Sequence, residues 1–148
     1  MDATSHARIT DFGLATVTRD PHSARSAPVD RGHNARWTAP EILTGQGLYY
    51  KEADVFSFAM VMIEVRCDPP PAFRTLDYSS MQAFTGAAPF GNNQPAAAVL
   101  AIMGGKRPAR PTHSNFTDEL WALMKRCWDP DPRSRPEISE VWKALRGL

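Results

Sequence analysis

Two carboxylates sit in short motifs that could carry chemistry: Asp11 in Asp11-Phe12-Gly13 and Glu41 in Ala39-Pro40-Glu41. A carboxylate oxygen suits a hard divalent cation, although taken alone an Asp before Phe-Gly is more simply a turn former. The stretch between the motifs sets Thr16, Thr18, Ser23 and Ser26 among Arg19, Arg25, Arg31 and Arg36. It is polar and aperiodic over residues 15–36, which predicts a long exposed loop. Loops of that length within a domain are usually functional or mobile. Cys67 and Cys127 stand far apart with no CxxC or Cys/His spacing. They read as reduced thiols, not as a disulfide or a metal site, which fits a cytoplasmic protein.

Positioning such residues takes a core. The 148 residues, 43% hydrophobic and 22% charged, suffice for one globular domain and are too few for two. A net charge of +1 gives no electrostatic case for nucleic acid or an anionic membrane as partner. The first residues, Met1 to Arg8, are polar and lack the apolar run of a signal peptide. The strongest apolar stretch, Val55 to Val65, is too short to cross a bilayer.

His6 to Leu14 predicts a short strand running into a turn at Gly13. Asp54 to Val65 is apolar almost all round, the signature of a helix in the centre of a core. A second helix is expected after Asn93 as its cap, with Pro95 in the first turn, Val99, Leu100, Ile102 and Met103 as its apolar side, and Gly104-Gly105 as its stop. Thr117 caps a third, whose Leu120, Leu123, Met124, Cys127 and Trp128 follow the spacing of one buried face. A fourth carries Ile138, Val141, Trp142 and Leu145 behind Ser134-x-x-Glu137, a candidate capping box. The fold class is therefore mainly α, with one short β element at the start.

In order, His6-Ala7-Arg8-Ile9-Thr10-Asp11-Phe12-Gly13-Leu14-Ala15, Arg36-Trp37-Thr38-Ala39-Pro40-Glu41, Asp54-Val55-Phe56-Ser57-Phe58, Thr85-Gly86-Ala87-Ala88-Pro89-Phe90, and Cys127-Trp128 followed by Arg135-Pro136 resemble the C-terminal lobe of a eukaryotic protein kinase domain. The likeness is to the tyrosine-kinase-like serine/threonine type and spans nearly the whole chain. It implies that Asp11 binds a Mg²⁺ ion bridging the ATP phosphates, with Phe12 and Gly13 beside the nucleotide. Residues 14–38 would be the activation segment, and Thr16, Thr18, Ser23 and Ser26 candidate phosphosites, since a phosphate among arginines can order a loop. The plainer alternative is an arginine-rich solvated loop that nothing phosphorylates. Arg36, Trp37 and Thr38 resemble the platform beside the substrate's reacting hydroxyl. Glu41 and Arg135 would form a buried ion pair and Asp54 would accept hydrogen bonds from the catalytic loop, three structural roles.

Departures from the family pattern sharpen this picture. Phe56 and Ala59 replace a larger aromatic and a glycine, and Gly32-His33 replaces a frequent Gly-Thr. The Gly-rich loop, the Val-Ala-Ile-Lys lysine and the His-Arg-Asp…Asn catalytic loop do not occur in the 148 residues. The expectation is a partial kinase domain over 1–148 that begins inside the domain, with no catalytic base and weak or no ATP and Mg²⁺ binding of its own. Residues 65–82 interrupt a junction that the family runs straight through, and are read as a retained intron or a surface insertion. Their removal joins Met62-Ile63-Glu64 to Ala83-Phe84-Thr85-Gly86. Intact relatives would transfer phosphoryl groups to Ser or Thr, and less readily to Tyr, of a protein substrate. The alternative function is a docking or decoy module for partner proteins, and a third is a fragment with no stable fold. Nothing in the sequence speaks to oligomeric state.

Overall fold

A computed structural model describes residues 35–45, 50–64, 88–91, 93–112 and 116–147. Five α-helices make up the regular structure there, namely α1 (Pro40–Leu43), α2 (Tyr50–Glu64), α3 (Pro95–Met103), α4 (Asp118–Cys127) and α5 (Ile138–Arg146). A single 3-10 turn, Pro132–Ser134, precedes α5. No strand occurs among the described residues, and the β element expected over residues 6–14 lies outside them. No helix among the described residues is long and apolar enough to cross a membrane.

The mainly helical reading holds, with α2 as its spine. Ala53, Val55, Phe56, Ala59, Met60 and Ile63 of α2 are all buried. They pack against α4, which turns Leu120, Leu123, Met124 and Cys127 inward, with Trp128 just beyond its end. The even apolar surround of α2 is not fully used, since Val61 stays 41% exposed. Thr117 caps α4 as its sequence position suggests, its hydroxyl accepting the Leu120 N–H at 3.2 Å. Asp118 and Glu119 open that helix and Lys125 and Arg126 close it, the arrangement that complements the helix dipole.

Four sequence expectations are corrected. The cap of α3 is Gln94, not Asn93, and its side chain makes no capping bond. Pro95 takes the first helical position, which needs no N–H donor, and the cap falls on the residue before it. Leu100 and Met103 do not face the core; they are 71% and 49% exposed, while Ala98 and Ile102 are buried. A short helix of almost wholly apolar composition has no periodicity to say which side goes in. Ser134 does not box the start of α5. Residues before proline avoid helical backbone, and Arg135, ahead of Pro136, is extended at ψ 143°. Ser134 is left inside the 3-10 turn and Glu137 caps α5 without a side-chain bond. Of the expected α5 face, Val141 is fully buried, whereas Ile138 and Trp142 remain more than half exposed.

Candidate functional site

Residues 35–41 form one short piece of chain that is pinned at both ends and in the middle. A tight turn returns the Thr38 N–H to the Ala35 carbonyl at 3.4 Å. Ala39 is 1% exposed and extended, and Pro40 then starts α1, placing Glu41 in the first helical turn.

Glu41 meets Arg135 through two parallel bonds. Arg135 Nη1 donates to Oε1 at 2.6 Å and Nη2 donates to Oε2 at 3.0 Å. The Arg135 side chain has no exposed surface and Glu41 only 11%. Two further Arg135 donors go to backbone carbonyls, Nη1 to Glu52 at 2.9 Å and Nε to Asp129 at 3.0 Å. The guanidinium also stacks 5.1 Å from the centre of the Phe56 ring. A planar fork on a carboxylate is the strong form of charged hydrogen bond. It joins α1, the first turn of α2 and the chain before α5 at one buried point.

Arg36 works on the other side of the turn. Its Nη1 donates to the carbonyls of Pro89 at 3.0 Å and Gly91 at 3.1 Å, and its Nη2 to that of Asn93. The turn it grips is contorted, with Phe90 at φ 66° and Gly91 at φ 58°. A bulky residue in left-handed backbone is disfavoured, so outside bonds help to hold it there. Trp37 donates its indole N–H to Glu64 Oε2, the last residue of α2, at 2.9 Å. Arg36, Trp37 and Thr38 are thus brought together on one turn.

Asp54 stands apart from both anchors. It is exposed on α2, and no hydrogen bond or ion pair partners it among the described residues. Crowding by its surroundings holds its carboxyl above the ordinary value of 3.8. Asp11, Phe12, Gly13, Thr16, Thr18, Ser23 and Ser26 lie outside the described residues, as do Gly32-His33 and residues 65–82. The described residues include no group of three or more His, Cys, Asp or Glu that could hold a metal ion. Cys127 is buried, which pushes its thiol up to about 11 and leaves it protonated and inert at neutral pH.

Sequence reasoning missed two participants. Arg107 also lies over the Phe56 ring, 5.1 Å from its centre, and donates to the carbonyls of Trp128, Ile102 and Lys106. Burial, then the neighbouring Arg135, lowers its pKa. Its only signal in the sequence is a place in a Gly-Gly-Lys-Arg-Pro run, where no periodicity marks a buried arginine. Glu64 was the other, an acid at the end of an apolar helix that finds its partner in Trp37.

With that geometry in hand, the comparisons are specific. The family model described as protein tyrosine and serine/threonine kinase matches residues 1–145. The chain is 31% identical to atrial natriuretic peptide receptor 2 of Rattus norvegicus, over 94% of this chain and 12% of the receptor. It is 30% identical to dual specificity protein kinase pyk3 of Dictyostelium discoideum, over 100% of this chain and 9% of that protein. It is 28% identical to serine/threonine-protein kinase VIK of Arabidopsis thaliana, over 97% of this chain and 28% of that protein. The chain therefore spans less than a third of the length of each of these relatives.

Proposed function

Starting from a chain that belongs to the protein tyrosine and serine/threonine kinase family, we propose that these 148 residues form the substrate-side part of a kinase domain that moves the γ-phosphoryl group of ATP to a protein Ser or Thr hydroxyl. Phosphoryl transfer rests on positioning and charge stabilisation. The observation that carries the reading is the pinning of residues 35–41: Glu41 on Arg135, Arg36 on the Pro89–Asn93 turn and Trp37 on Glu64. A platform fixed at three points is what a reacting hydroxyl must be laid against. On this reading Asp11 would hold a Mg²⁺ ion, which when bound would supply positive charge to offset that of the ATP phosphates. Arg36, Trp37 and Thr38 floor the substrate position, while Glu41 and Arg135 shape the lobe.

The 148 residues taken by themselves contain no His-Arg-Asp base and no phosphate-clamping lysine. The chain alone is therefore expected to bind MgATP weakly or not at all and to transfer no phosphate. The test uses the chain and a chimera that joins it to the Gly-rich lobe and catalytic loop of a similar kinase. Labelled ATP and pooled Ser, Thr and Tyr peptides are the substrates. Label should pass to Ser and Thr peptides only from the chimera, and Asp11→Asn should abolish it. Transfer by the bare chain that depends on Asp11 would refute its inactivity, and a folded chimera with no transfer would refute the kinase reading.

A second reading, a docking or decoy module for a protein partner, draws support from the apolar side of α3 left open at Leu100 and Met103. Capture of a partner kinase or its substrate that survives in the bare chain and is lost in Leu100→Asp would favour it.

A further inference from the structure

Beside α4 lies a cavity of about 320 Å³, open along one side, that the kinase reading does not use. Trp121 and Trp128 form its aromatic wall, their rings 5.5 Å apart and edge to face at 80°. Pro108 and Pro130 complete the apolar surface, and Arg107 and Lys125 supply the charge. None of these side chains is a hydrogen-bond acceptor. The donors, by contrast, are in surplus: neither indole N–H nor the Lys125 ammonium has a partner among the described residues. Trp128 is only 4% exposed, and its ring lines the cavity beside the more open Trp121.

An apolar surface whose side chains bring donors and cations but no acceptor selects its ligand by what the ligand lacks. Proline has no backbone N–H, and the polyproline II helix leaves its carbonyls unbonded and its rings outward. A proline-rich segment thus brings acceptors and apolar rings with no donors to leave stranded, and it arrives already extended. An acidic residue beside the prolines would meet Lys125. We propose that this cavity docks a proline-rich segment of a partner protein that carries an acidic residue next to its prolines. The site stands on its own observations and does not depend on kinase activity.

Titration of the full chain with an acetylated, amidated peptide of one aspartate and six prolines tests this, read by the four indole N–H resonances in ¹⁵N spectra. Trp121 and Trp128 should shift and Trp37 and Trp142 should not, with a Kd on the order of 100 μM. An aspartate-headed Gly-Ser peptide should leave all four in place. Lys125→Glu, at an exposed residue with no hydrogen bond or ion pair to lose and only its share of the helix-dipole complement, should still fold and should weaken binding by about tenfold. Trp121→Leu should abolish it. The chain's own Asp68-Pro69-Pro70-Pro71 could compete, so a variant with alanine at 69–71 is titrated alongside. Unchanged affinity supports a partner's segment, whereas tighter binding would assign the cavity to the chain's own prolines and overturn the proposal. No shift at Trp121 and Trp128 under saturating peptide, or equal shifts at all four indoles, would overturn it as well.

Discussion

Arginines hold the segment 35–41 on two sides, and they do so by different physics. Arg135 is sealed in the core and gives its fork to the Glu41 carboxylate. Arg36 is half-buried and spends its charge on three backbone carbonyls, with no acid involved. In the first case two charges cancel where water cannot reach, so each needs the other. In the second the guanidinium still touches solvent, and losing it strands only carbonyls that water can serve. The first anchor cannot lose a single partner cheaply, and the second trims a local shape. The difference is burial, not the number of bonds.

Removing one partner of the sealed pair is the harshest way to break that comparison. Glu41→Ala or Arg135→Ala should each lose about 3–5 kcal/mol in urea unfolding, because an uncompensated buried charge remains. That is a large share of a domain's roughly 5–15 kcal/mol. Replacing both with apolar residues of like volume should recover much of the loss, since buried pairs often add little net stability over a packed apolar substitute. If the single substitutions cost under about 1 kcal/mol, the pair would behave like a surface salt bridge and the contrast with Arg36 would vanish.

Arg36→Ala should cost less, about 1–2 kcal/mol, in line with charged hydrogen bonds that water partly replaces. Its sharper signature is local. Amide exchange should speed up across residues 90–93, where Phe90 and Gly91 hold positive φ, and should stay unchanged in α4. Arg36→Lys should recover little, because one ammonium cannot reproduce a fork spread over three carbonyls. Equal protection in wild type and Arg36→Ala would show that the turn stands without its arginine.

Much of the fold was legible in the residues because α2 and α4 write their burial plainly. The Leu120, Leu123, Met124, Cys127 and Trp128 spacing admits one inward face, and all five are buried. Where composition was uniformly apolar, as in α3, the sequence could not say that Ala98 and Ile102 go in while Leu100 goes out. The link from Glu41 to Arg135 crosses 94 positions, so no local pattern could suggest it, and only the family resemblance singled out both residues. Arg36 shows the opposite limit. Its place next to Trp37 drew attention to substrate, yet its bonding to Pro89, Gly91 and Asn93 depends on a left-handed turn at Phe90, a residue type that does not advertise one.

Asp54 extends the comparison to a charge with neither kind of anchor among the described residues. It lies on α2 beyond the first turn, where a helix N-terminus lends little support, and its carboxyl is held above 3.8 by its surroundings. A carboxyl whose pKa rises on folding is one whose ionised form the fold disfavours. The penalty is complete at pH values above the folded-state pKa and is relieved as pH falls through it toward the unfolded value. Asp54→Asn should therefore be slightly more stable than wild type at pH 7, by no more than about 0.5 kcal/mol, because solvent screens an exposed site. The gain should fade as pH drops toward 3.8, whereas Glu41→Ala should remain destabilising throughout the neutral range. Urea midpoints for both variants from pH 7 downward measure the two slopes together. A loss of stability in Asp54→Asn at neutral pH would mean that the carboxylate is anchored after all, and the three charges would then differ only in who holds them.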